Sequence, residues 1–132
     1  MSTYFQDREA APQGDREREF FARLLQALQH AADRAPAIAR QLQGVDIASL
    51  TSRQALAPVP VVRKSQLLEQ QTVARQQGGT SVAQRVFGGF SAIGWGAAAR
   101  VFASPGPIYE PESRRPDYWG FGRALHAAGF RP

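Results

Sequence analysis

Between Asp15 and Ala35 the apolar side chains Phe20, Phe21, Leu24, Leu25, Leu28, Ala31 and Ala32 recur at helical spacing. That period commits the segment to an amphipathic helix, and its stripe has to be covered by something. Glu17 and Glu19 lie toward the end of the segment where the helix dipole favours negative charge. Pro36 then stands where a second helix can begin, Ile38 and Leu42 share one face, and Gly44 is a natural stop. The pattern predicts a helical hairpin, so any fold for this chain starts from two packed helices.

Downstream, Val45, Ile47 and Leu50 anchor a connection, and Ser52 is placed to cap a short turn. Pro58 and Pro60 hold the backbone extended through Val59, Val61 and Val62. A third helix is predicted from about Ser65, burying Leu67 and Leu68. Residues 76–81, with Gly78 and Gly79, read as a flexible loop. The run from Val86 to Ser104 mixes glycines with Phe87, Phe90, Ile93, Trp95, Val101 and Phe102, which predicts short strands joined by tight turns. At the end, Tyr118, Phe121, Leu125 and Ala128 fall on one helical face, with Pro116 at the first turn and Gly129 as the stop. The expected architecture is a mixed, helix-rich α/β fold: a helical hairpin, short strands, then a strand-loop-helix unit. Residues 1–14 are expected to form a flexible arm, and residues 15–132 the folded part.

A chain of 132 residues can bury a core, roughly two thirds of the surface its unfolded form exposes. It has no cysteine, which rules out disulfides, thiolate metal ligands and a thiol nucleophile. No apolar run is long enough to span a membrane, and the polar N-terminus lacks the pattern of a secretory signal, so a cytoplasmic location without membrane contact is expected. The formal charge of +5 is almost wholly arginine, with Lys64 the one lysine. Those arginines are scattered. The tight pair Arg114-Arg115 is not interleaved with aromatics, which argues for a solvated surface over a nucleic-acid platform.

Residues able to do chemistry are sparse. His30 and His126 are far apart in sequence, and the only acidic neighbour of His30 on its helix is Asp33. That pattern points away from a metal site. The carboxylates of Glu110 and Glu112 have no partner motif, and no nucleophile elbow or Gly-rich nucleotide fingerprint occurs. The stretch Ala103-Ser104-Pro105-Gly106-Pro107 resembles a phosphate loop only in part. Ser104 and Gly106 suit such a loop, but Pro105 and Pro107 bring no N–H, and Glu110 places a negative charge where a cation would help. Taken by itself it reads as a rigid turn between two strands.

Three blocks in order, "PVVRKSQLL", "RVFASPGPIYEP" and "DYWGFGRALHAAGFRP", resemble the N-terminal part of phenylacetate-CoA ligase-like adenylate-forming enzymes. The likeness runs from about Tyr4 to Pro132. It implies part of the adenylate-forming ligase fold, and a reaction in which the whole enzyme joins a carboxylic acid to AMP from ATP and then passes the acyl group to coenzyme A. ATP, Mg²⁺ and CoA are the cofactors and cosubstrates implied for that whole enzyme. By the same resemblance, Ser104, Gly106 and Tyr109 fall at the nucleotide loop, with Ala103 at its start and Pro111 at its close. Pro107, Ile108 and Tyr109 replace the expected hydroxyl residues and glycine, and Glu110 replaces a lysine. The resemblance implies a chain that is catalytically incomplete alone, with the rest of a ligase or a homo-oligomer as partner. The alternative is a small non-catalytic interaction module that docks on a partner chain.

Overall fold

The computed structural model describes residues 4–78 and 80–131. Helical segments make up about half of it, and a two-stranded antiparallel sheet supplies the β part. The helices are α1 (Gln13–Arg34), α2 (Pro36–Gln41), α3 (Lys64–Gln77), α4 (Val82–Phe87) and α5 (Gly122–Ala127). The strands are β1 (Ala98–Ser104) and β2 (Ile108–Ser113). Short 3₁₀ turns occupy Asp7–Ala10, Ile47–Ser49 and Trp95–Ala97. Within the arm expected to be flexible, Met1 to Thr3 lie outside the described residues, while α1 already begins at Gln13.

The helical hairpin forms as its periodicity requires. Phe21 is the α1 side chain that becomes fully buried, Leu24, Leu25 and Leu28 are half-buried, and Phe20 lies at the rim with its ring edge-on to Phe21. Ala35 and Ala37 at the bend are buried, as are Leu42 after α2 and Leu50 after the 3₁₀ turn. Gly44 adopts φ +80° just past the helix, as a stop residue should. Ser52 caps its turn by accepting the Ala55 N–H at 3.2 Å. Pro58 and Val59 lie in a turn and a bend instead of an extended run, with the Val59 N–H donating to the Leu56 carbonyl at 3.0 Å; residues 60–63 belong to no regular element, and Val61 stays exposed. The hairpin is tied to the rest by the Ala37 N–H, which donates to the Gly89 carbonyl at 3.0 Å.

Expectations for the second half of the chain need correction. The glycine-aromatic run forms no set of short strands. Ser81 caps α4 by accepting the Gln84 N–H, and Gly88 and Gly89, with φ of +63° and +80°, end that helix instead of turning between strands. An irregular stretch and a 3₁₀ turn follow before β1, the one strand of the region. The expected strand-loop-helix unit is a strand-turn-strand, in keeping with the reading of residues 103–107 as a rigid turn between two strands: Pro105-Gly106-Pro107 closes a hairpin, with Gly106 at φ +131° and Ser104 opposite Ile108. The last helix is also shorter than its apolar face suggested. Asp117 sits at φ +48° and accepts the Gly122 N–H on its side chain at 2.9 Å, so helix begins only after this turn. Its other end is as expected, with Gly129 and Phe130 donating to the carbonyls of His126 and Leu125.

In α3 the predicted core residues Leu67 and Leu68 are only half-buried, and the buried side chain is Gln71, 1 % exposed. The helix runs through Gln77, so the expected loop shortens to the residues around Gly78, which caps it at φ +67°; Gly79 lies outside the described residues. Phe87 of α4 and Ile108 of β2 complete the buried apolar set. Both α3 and α4 pack on β2, which makes the hairpin the element on which the second half of the chain is assembled.

Candidate functional site at the hairpin

Ser104, Gly106 and Tyr109 come together in one hairpin, yet they do not converge on one point. Ser104 pairs with Ile108 and Tyr109 with Ala103, so Ser104 and Tyr109 sit on opposite faces of the sheet. Gly106 is exposed at the turn, and a Cβ there would lie 3.6 Å from the Leu68 Cδ2 of α3. The positive φ of Gly106 needs a residue without a side chain, and the flanking prolines stiffen the turn.

Tyr109 is held from α3. The Gln71 Nε2 donates to the Tyr109 carbonyl at 2.9 Å, and the Tyr109 N–H donates to Gln71 Oε1 at 2.9 Å. The side-chain amide thus imitates a neighbouring peptide unit. Above the ring, the Arg75 guanidinium carbon lies 5.3 Å from the Tyr109 centroid, a cation–π distance. Arg75 Nη2 donates to Thr72 Oγ1 at 3.1 Å, while its Nη1 is buried with no hydrogen-bond partner among the described residues.

At the far end of the hairpin, Glu112 accepts from Trp119 Nε1 at 2.9 Å and lies 3.4 Å from Arg100 Nη2. Trp119 meets Phe102 edge-on at 6.0 Å between centroids. An open pocket of about 310 Å³ lies between these groups and the helices, lined by Leu67, Gln71, Phe87, Tyr109, Tyr118 and Trp119 among others. A second, of about 370 Å³, lies between α1 and residues 51–54, where Arg53 Nε donates to Glu17 at 2.9 Å.

A phosphate cradle needs several inward backbone N–H groups and nearby positive charge. Within the turn Gly106 alone brings an N–H, because its neighbours are prolines, and the Tyr109 N–H is already given to Gln71. Arg75 covers the Tyr109 ring, and Glu110 is exposed beside it. These residues do not fit the triphosphate of ATP, so no step of an adenylation reaction can be built through them. The two histidines remain apart in role. Asp33 accepts from Gln29 at 2.9 Å, and the ring of His126 rests against Phe5. Among the described residues no group of three or more His, Asp or Glu side chains is placed to hold a metal ion, and no helix is long and apolar enough to cross a membrane.

Gln71 was missed by sequence reasoning. It sits in a polar run, and nothing local to that run marks it as the buried member. Comparison with protein-family models, curated proteins and solved structures finds no match.

Proposed function

We propose that this chain is the N-terminal structural portion of a phenylacetate-CoA ligase-like adenylate-forming enzyme, without catalytic activity of its own. The observation that carries the reading is the convergence of the three resembling sequence blocks. Leu68 of the first lies beneath Gly106 of the second, and Trp119 of the third meets Phe102 of the second edge-on while bonding Glu112 just past its end. Blocks that form one compact unit are more telling than the same blocks scattered over a surface. In this reading the acid substrate, ATP, Mg²⁺ and CoA are handled by groups outside the chain, and its contribution is to support them.

The second reading is a docking module for a separate partner chain, and one observation favours it. Phe121, Leu125 and Phe130 lie exposed along the C-terminal segment, a face suited to burial against other polypeptide. Two measurements test these readings. The purified chain is expected to give no acid-dependent exchange between ATP and pyrophosphate, and robust exchange would overturn the non-catalytic assignment. Added to a phenylacetate-CoA ligase lacking its corresponding N-terminal segment, the chain is expected to restore thioester formation. Absence of both complex and activity would remove the ligase reading.

A further inference from the structure

Among the described residues no strand pairs with the outer edge of β1, and its groups can be placed by the alternation of an antiparallel ladder. Tyr109 turns both its N–H and its carbonyl to Gln71, hence away from β1. Residues directly opposite each other share one bonding state, so Ala103, the partner of Tyr109, turns its own groups away from β2. Two residues back, Val101 does the same. Its partner is Pro111, which has no N–H to give, so the pattern is consistent along the strand. Val101 and Ala103 therefore present N–H and C=O groups outward. The elements that pack on this hairpin, α3 and α4, do so through β2, and residues 99–103 are all exposed.

Sheet edges are ordinarily blunted by lysine, proline, inward charge or a bulge. Here a register shift between Ala98 and Arg100 blunts only the start of β1. Residues 100–104 remain regular, without proline, and their single charge, Arg100, is engaged by Glu112.

From this geometry we infer that β1 pairs antiparallel with β1 of a second copy of the chain, about a two-fold axis at Phe102. In that register Val101 of each copy faces Ala103 of the other, and their outward groups exchange reciprocal hydrogen bonds. Phe102 meets its own counterpart in a narrow pair, the geometry in which cross-strand aromatics approach most closely. Arg100 faces Ser104, so no like charges are opposed. The strand is thus self-complementary, as an isologous interface requires. The row Trp119–Phe102 becomes continuous with its symmetry copy, and two hairpins become one four-stranded sheet. This inference is independent of the ligase reading, because it uses only the backbone edge and the composition of β1.

The test is sedimentation equilibrium of the purified chain, paired with hydrogen exchange at increasing protein concentration. A monomer–dimer equilibrium is expected, with the Val101 and Ala103 amides gaining protection as dimer forms. Ala103→Pro removes an outward N–H that β2 does not use, so the monomer fold should survive by circular dichroism while self-association weakens by at least roughly tenfold. Phe102→Glu places two carboxylates across the axis and should abolish the dimer. A chain that stays monomeric throughout overturns the inference. So does a dimer indifferent to both variants, or one whose protected amides lie along Phe121 to Phe130.

Discussion

A glutamine with almost no exposure is tolerated only when both arms of its amide are matched, and Tyr109 matches both from across the chain. Gln71→Leu leaves the N–H and carbonyl of the half-buried Tyr109 facing an apolar side chain without partners. It is expected to cost about 2 to 5 kcal/mol, read as a lowered midpoint in urea unfolding. Gln71→Glu should be damaging as well, because a carboxylate accepts the N–H but faces the carbonyl with a second acceptor. The same residue explains Gly88. A Cβ on Gly88 would come within 3.0 Å of the Gln71 Cγ and 3.1 Å of its Cα, and φ there is +63°. Gly88→Ala is therefore expected to lose about 1 to 3 kcal/mol by the same unfolding measurement, since backbone and helix α3 would both have to yield.

Among the elements, the two N-terminal helices were legible from their own pattern, while those of the second half were read in part or missed. The stripe of α1 and the Pro36 start of α2 are local signals, and both helices appear where these place them. The α4 helix was misread because its apolar residues Val82, Val86 and Phe87 sit beside glycines, and a glycine closing a helix looks the same in sequence as one turning between strands. The cap at Ser81 was the distinguishing signal. Ser81→Ala is expected to cost about 1 kcal/mol and to raise exchange rates across α4 in hydrogen-exchange measurements. The β2 strand was legible from the turn before it, residues 103–107, but not in its extent. Pro111 within Glu110-Pro111-Glu112 argues against a strand interior, yet it stands at a position whose N–H has no ladder partner to serve. The carboxylate of Glu112, for which the sequence shows no partner motif, is bracketed by Trp119 and Arg100.

At the scale of the whole molecule, the apolar surface is unevenly spent. Phe21, Leu50, Phe87 and Ile108 are buried, while Trp95, Phe102, Trp119, Phe121, Leu125 and Phe130 remain exposed in the second half of the chain. Native protein is expected to bind a hydrophobic fluorescent dye, and the double change Phe121→Ser, Phe130→Ser should reduce that binding. Its unfolding free energy should move by less than about 0.5 kcal/mol, since neither side chain belongs to the core. A loss of cooperativity in the double variant would instead show these residues to be part of the folded unit. The candidate site was legible only in outline. Ser104, Gly106 and Tyr109 were placed in one stretch, but their separation onto two faces follows from a hairpin register that the prolines alone do not specify.

The Gln71 clamp also acts as a gauge. It joins residues 38 apart in sequence and accepts only a β2 residue whose backbone faces outward. If the hairpin closed one residue out of step, Ile108 or Glu110 would stand at the amide with its groups turned the other way, and the helix would reject it. The check comes from α3, so the alignment of two neighbouring strands is specified by a side chain from a helix elsewhere in the sequence.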